Sequence, residues 1–205
     1  MSRTAADSPH FLIIAGPNGS GKSSAYQASI AEVDGRSFRI INPDLFAARI
    51  HAGGKLGAQD ANLEAVRRIE AWLETSLLAG HTVGVETVLS TSKYRRLVSL
   101  ARDLGYRFQL IYVILDDPLR NVERVAIRTR RGGHSVPKDK IIARYWRSLN
   151  ELPWFLAQAD DAWLWDNSGA TLRALGRKQD GTLTLDERAM APIRDAAVAA
   201  SRLIG

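Results

Sequence analysis

The chain has 205 residues, 45% of them hydrophobic, and a formal net charge of +6. That length suits one domain, or one with a small appendage, and that composition suits a packed core. Cysteine is absent, which excludes disulfides, thiolate zinc sites and thiol nucleophiles.

The positive charge is concentrated. Nine Lys and Arg residues lie between Arg120 and Arg147, against only Glu123 and Asp139. Such a cluster suits a polyphosphate, an anionic small substrate or nucleic acid. A solvated helix face would intersperse acids with the bases.

Residues 1–10 read as a loose polar leader with no apolar signal region, so the expectation is a cytoplasmic protein without membrane association. Residues 11–15 are an unbroken apolar run and predict a buried strand. It leads into Gly16-Pro17-Asn18-Gly19-Ser20-Gly21-Lys22-Ser23, the G-x-x-x-x-G-K-S pattern of a P-loop. Gly16 and Gly21 let the backbone N–H groups face one concavity that suits phosphate oxygens. Lys22 can reach the β- and γ-phosphates, and the Ser23 hydroxyl can take a position on Mg²⁺. Residues 16–24, from Gly16 to Ser24, are thus expected to cradle ATP or GTP. A helix over 22–31 would add the positive end of its dipole.

A second strand is expected over 38–41. Asn42-Pro43-Asp44 then opens a helix, with Asn42 as N-cap and Pro43 in the first turn. A glycine-bearing loop over 51–57 precedes a long helix over 59–78, with Leu63, Val66, Ile69, Leu73 and Leu77 at helical spacing. A third strand spans 82–86, a helix 92–104 and a fourth strand 108–115. Asp117-Pro118 starts a helix to about residue 131, and after Gly132-Gly133 another runs from Pro137 to about 159. A fifth strand covers 162–165. The tail predicts a hairpin with Asp180-Gly181 at its turn, then a helix over 187–203. Five strands alternating with helices imply an α/β fold: a parallel sheet of about five strands with helices on both faces. The organisation is a leader (1–10), a P-loop domain (11–169) with an Arg-rich lid at about 124–147, and a C-terminal hairpin and helix (170–205).

In such a sheet ligands sit beyond the carboxyl ends of the strands. Asp44, past the second strand, is either a base for an attacking hydroxyl or a first-turn acid favoured by the helix dipole. Glu86 and Thr87, past the third, can meet substrate; Glu86 can also be an exposed strand end. Gly84 beside them allows close approach of a backbone or ligand. Asp116 and Asp117 resemble a Walker B ending, but Asp117-Pro118 is the pattern of a cap and first-turn proline. In the lid, arginines at i and i+4 share a helix face and can neutralise a transferring phosphoryl group. His134 shapes the lid loop, and Arg144, one helix later, can point into the same cleft. Trp154, Trp163 and Trp165 read as core rather than as a stacking platform.

Together G-P-N-G-S-G-K-S, I-I-N-P-D, V-E-T-V-L-S, the R-x₃-R-x₃-G-G-H-x-V-P lid, R-Y-x-R-S-L and D-N-S resemble the zeta toxin-like P-loop kinases, over about residues 11–168. The resemblance implies phosphoryl transfer from ATP or GTP, with Mg²⁺, to a small-molecule hydroxyl, a nucleotide sugar in the well-understood zeta toxins. It implies that Asp44 is the catalytic aspartate and that Glu86 holds substrate. The phosphate-clamping arginines then fall among Arg128, Arg131 and Arg144. An antitoxin-like protein is an implied partner. The alternatives are a nucleic-acid-associated P-loop NTPase, the less favoured, and a nucleotide-binding partner of an antitoxin-like protein.

Overall fold

The computed structural model describes residues 8–25, 30–33, 35–53, 57–133 and 135–204. The side chains of Ala25, Ile30, Asp44, Ala58, Gln59, Ala61 and Asn62 fall outside that description. The described residues form one eight-stranded sheet. Its strands are β1 (His10–Ala15), β2 (Ile30–Val33), β3 (Arg36–Ile41), β4 (Val83–Thr87), β5 (Arg107–Ile114), β6 (Asp161–Asp166), β7 (Arg173–Gln179) and β8 (Thr182–Leu185). The helices are α1 (Pro43–Ala52), α2 (Ala58–Leu78), α3 (Arg95–Asp103), α4 (Pro118–Arg130), α5 (Lys138–Gln158) and α6 (Ala191–Ser201). Among these described residues no helix is long and apolar enough to cross a membrane.

Strand order is β2-β3-β4-β1-β5-β6-β7-β8. The five parallel strands β3-β4-β1-β5-β6 are those expected from the apolar runs, in an α/β fold with helices on both faces. Three antiparallel strands extend this core. β2 pairs with β3 at one edge, and β7 and β8 continue from β6 at the other. The predicted helix over 22–31 therefore needs correction. Lys22–Ala25 is a single 3-10 turn, residues 26–29 lie outside the described chain, and Ile30 and Ala31 belong to β2. The alternating residues 30–33 zip against β3 through a turn with Gly35 at φ 73°.

β1 is buried along its whole length because both sheet faces are covered. Phe11 and Ile13 join a core built with Ile69 and Leu73 of α2, Val98 of α3, Leu152 of α5 and Ile193 of α6. Leu12 and Ile14 point the other way, into a cluster with Phe38, Ile40, Ile111 and Val113. Trp163 and Trp165 pack at its side, half-buried. Gly84 lets strands pack closely, since a Cβ there would lie 2.5 Å from Ile40 Cδ1 and 2.9 Å from the Leu12 carbonyl oxygen.

Parallel register aligns the strand tips. Ala15 pairs with Thr87, and Ile41 with Val85, so the loop after β1 leaves the sheet beside Glu86 with Asn42 on Glu86's other side. From β1 the chain goes to the β3 edge, whereas from β4 it crosses to β5. Adjacent strands whose connections diverge open a crevice between them. The crevice lies between the P-loop and Glu86.

Candidate active site

Gly16 and Gly21 take φ of 140° and 95°, angles that favour glycine. A Cβ on Gly16 would sit 2.0 Å from the Val113 carbonyl oxygen, and one on Gly21 2.1 Å from Asn167 Nδ2. At Gly16 contact with backbone requires glycine as firmly as the dihedral does, whereas at Gly21 the neighbour is a side-chain end and the dihedral is the stronger constraint. Within the loop, the Ser20 N–H donates to the Pro17 carbonyl at 3.2 Å and the Ser24 N–H to that of Gly21 at 3.0 Å. Lys22 is buried, and its Nζ donates to the carbonyls of Gly16 (2.8 Å) and Pro17 (3.0 Å).

Glu86 holds the centre. Its Oε2 accepts from Ser23 Oγ at 3.2 Å and Asn42 Nδ2 at 3.0 Å, and its Oε1 lies 3.9 Å from Lys22 Nζ. Only 12% of the Glu86 side chain is exposed, so this is no solvated strand end. Asn42 works twice, since its Oδ1 also accepts from the Leu45 N–H at 3.1 Å and caps α1. Asp44 is the second residue of that helix; its side chain lies outside the described residues. Thr87 lines the cleft, and its Oγ1 accepts from the Leu89 N–H at 3.1 Å.

The arginine-rich helices close the opposite wall. Arg124, Arg128 and Arg144 all line the cleft. Arg124 Nη2 donates to the Asn167 carbonyl at 2.7 Å, and Arg144 Nη1 to Asn18 Oδ1 at 3.4 Å. Arg131 does not line it. α4 ends at Arg130, and the exposed Arg131 sits at the C-cap, where its N–H and that of Gly133 both return to the Arg128 carbonyl. His134 lies outside the described residues. Asp117 Oδ1 caps α4 by accepting from the Leu119 N–H at 2.8 Å. Asp116 is engaged by Arg120 at 3.2 Å and lies outside the cleft.

Three asparagines brace the site: Asn42, expected as a helix cap, Asn167, in the D-N-S stretch at a strand end, and Asn121, which the sequence did not mark. Asn121 Nδ2 donates to the Asn18 carbonyl at 2.6 Å, Asn167 Nδ2 to the Ser20 carbonyl at 2.8 Å, and Asn42 holds Glu86. Asn167 belongs to the D-N-S stretch at the end of β6, where strand-end position was the available signal. The cleft has a volume of about 590 Å³, within the range of small-molecule sites. Its donor set fits Mg²⁺: the Ser23 hydroxyl beside a Glu86 carboxylate oxygen offers hard oxygen ligands next to a phosphate cradle. The described residues hold no cluster of three His, Cys, Asp or Glu that could bind a metal without phosphate oxygens.

No curated protein matches the sequence. Among solved structures, one chain of the AvrRxo1-ORF1:AvrRxo1-ORF2 complex with sulphate ions superposes with a TM-score of 0.69 at 13% identity, covering 92% of this chain and 63% of that one. The same complex with ATP gives 0.69 at 14% identity, covering 90% and 64%. A chain of the PezAT chromosomal toxin-antitoxin system of Streptococcus pneumoniae gives 0.62 at 13% identity, covering 99% and 90%. This protein thus spans less than two thirds of the AvrRxo1 chains. At such identities the likeness establishes the fold. Residues 11–152, more than half of the sequence, match the family profile described as an AAA domain, and the chain belongs to that family.

Proposed function

We propose that the protein is a P-loop kinase that transfers the γ-phosphoryl group of ATP or GTP to a hydroxyl of a small molecule, as the zeta toxin-like kinases do. One observation carries this reading. Glu86 is held between the P-loop serine and the cap of the Asp44 helix, so the phosphate cradle, the Glu86 carboxylate and the start of α1 meet in one cleft.

Lys22 and residues 16–24 hold the β- and γ-phosphates, and Ser23 holds Mg²⁺, which supplies charge neutralisation when bound. The acceptor oxygen attacks the γ-phosphorus. A new O–P bond forms as the bond to the β–γ bridging oxygen breaks, and the nucleoside diphosphate leaves with that electron pair. Asp44 takes the hydroxyl proton, and Glu86 with Thr87 orients the acceptor. Arg128 and Arg144 balance charge on the transferring group. Arg124, held by the Asn167 turn, flanks the nucleotide beside Gly21. ATP supply argues for a cytoplasmic location. Matches to proteins from a toxin-antitoxin system and from an ORF1:ORF2 complex support an antitoxin-like partner.

The test is transfer of label from γ-labelled ATP into a mixture of hydroxylated metabolites, with wild type, Lys22→Ala and Asp44→Asn. Lys22→Ala abolishes transfer. Asp44→Asn lowers turnover about 10²–10⁴-fold, the usual contribution of general-base catalysis, with ATP-analogue affinity unchanged. Wild-type turnover by Asp44→Asn removes Asp44 as base. Normal nucleotide binding without transfer to any acceptor overturns the kinase reading.

A further inference from the structure

We infer that the acceptor carries an anionic group, phosphate or carboxylate, received by Lys93 at the end of the loop that follows β4; this rests on the kinase reading above. Beyond Glu86, the β4 tip and its loop contribute Thr87, Val88, Ser90, Thr91 and Lys93 to the cleft. Three of these carry hydroxyls suited to a polyol or an oxyanion, and one is a cation. The arginines belong to the other wall, where Arg124 and Arg144 are tied to residues 167 and 18.

The loop is built to present this set. Leu89 adopts φ 57°, a left-handed conformation that a branched side chain rarely takes, and such outliers persist where surrounding structure over-determines them. Here the Leu89 side chain is 1% exposed and its N–H is held by Thr87 Oγ1 at 3.1 Å. The kink buries Leu89 and leaves its neighbours, residues 88 and 90, lining the cleft. Three residues on begins a 3-10 turn (Ser92–Tyr94) that carries Lys93 and is anchored by the buried Tyr94.

The charge of Lys93 is poorly compensated. Its nearest acid, Glu70, is 3.9 Å away, and its Nζ lies 4.5 Å from the Tyr94 ring centroid. Burial pushes its pKa down, and Glu70 only partly opposes this. An anion docking there gains a charge-assisted hydrogen bond. A neutral polyol can accept a hydrogen bond from the same ammonium but gains no attraction between opposite charges.

The test loads the protein with a non-hydrolysable ATP analogue and Mg²⁺, so that the phosphate cradle is filled. Calorimetric titration then compares matched neutral, phosphorylated and carboxylated compounds: a free sugar with its monophosphate and its acid, a nucleoside with its monophosphate. An anionic member is expected to bind about tenfold or more tighter than its neutral partner, the advantage of pairing opposite charges in a partly buried site. Lys93→Met erases that preference without changing analogue affinity, and Lys93→Arg retains most of it. Equal binding of neutral and anionic members, no binding by the anionic ones, or a preference that survives Lys93→Met overturns the inference. The phosphate and carboxylate arms tell which anion is preferred. Lys93-dependent anion binding without phosphoryl transfer overturns the kinase reading and leaves the subsite standing. Transfer to neutral acceptors at a rate indifferent to Lys93 does the reverse.

Discussion

Asn42 separates fold from function within one side chain. Its Oδ1 caps α1 through the Leu45 N–H, and its Nδ2 holds Glu86 at 3.0 Å. A cap contributes about 1 kcal/mol, and a hydrogen bond to a charged group about 1.5–3 kcal/mol. Serine keeps the first and loses the second, because its hydroxyl reaches its own helix but not the neighbouring strand tip. Alanine loses both. Glu86 retains Ser23 as a donor in either variant, so losing Asn42 falls on its orientation more than on the fold. For a chain of this size 1 kcal/mol shifts Tm by about 2–4 °C. Asn42→Ala should therefore melt about 2–4 °C below Asn42→Ser, while both lower kcat/KM by roughly tenfold, the equivalent of 1.4 kcal/mol. Differential scanning calorimetry and a coupled assay of nucleoside diphosphate release measure the two effects. If Asn42→Ser keeps wild-type kcat/KM while Asn42→Ala loses activity along with stability, the asparagine is only a cap and its link to Glu86 has no catalytic consequence.

Three other perturbations test separate parts of the structure. Gly16→Ala drives a Cβ to 2.0 Å from a backbone oxygen and should prevent folding, whereas Gly132→Ala, at φ 86° with nothing within 4 Å, should cost only about 1–2 kcal/mol of left-handed strain; circular dichroism melts compare them. Arg128→Ala should slow turnover by on the order of 10³-fold if it acts as an arginine finger, while Arg131→Ala should stay within about twofold on the same scale; equal losses would put Arg131 back in the cleft. Burial, helped by Arg36 and Arg107 and opposed by Gln109 and Asp161, lowers the His10 pKa below its ordinary 6.5. The unfolded chain then binds the proton first, so stability declines as pH falls from about 6.5 toward the folded value. His10→Phe should flatten that part of a urea-denaturation pH profile, and an unchanged slope would refute the assignment.

The parallel core was legible because each of its strands is an apolar run followed by a loop signal. β2 was hidden by a stronger local signal. The P-loop motif implies a following helix, and residues 30–31 were absorbed into it although Asp34-Gly35, between alternating residues, is a hairpin dipeptide. Helical spacing mispredicted burial at one end. Leu63 shares its stripe with Ile69 and Leu73 yet is 54% exposed. At 21 residues α2 is about 31 Å long, whereas a six-residue strand spans about 20 Å; the first turns of α2 project past the sheet, where Val66 lines the cleft. Arg131, offered by the family resemblance, is placed at the C-cap because α4 ends at Arg130, and it does not line the cleft. Among the asparagine braces Asn121 was illegible and Asn167 carried only its strand-end position, since each acts through a P-loop backbone carbonyl more than a hundred positions away.

Glu86 decides how the parts of the cleft depend on one another. It and Lys22 are both largely buried and 3.9 Å apart, so removing the carboxylate leaves a cation short of its counter-charge in a poorly solvated place. Its second oxygen ties the P-loop serine to the start of α1. A substitution at Glu86 therefore cannot act on the acceptor alone. Glu86→Gln preserves the shape and should change both nucleotide affinity and acceptor KM, whereas Lys93→Met should change acceptor KM only and Arg128→Ala chiefly kcat. That ordering follows from the proposed roles of the three charges: one shared between donor and acceptor, one on the acceptor wall, one over the transferring group. A Glu86→Gln protein altered in acceptor KM but unchanged in nucleotide affinity would mean that Lys22 draws nothing from its neighbour, and the crevice between β1 and β4 would then be two independent sites side by side.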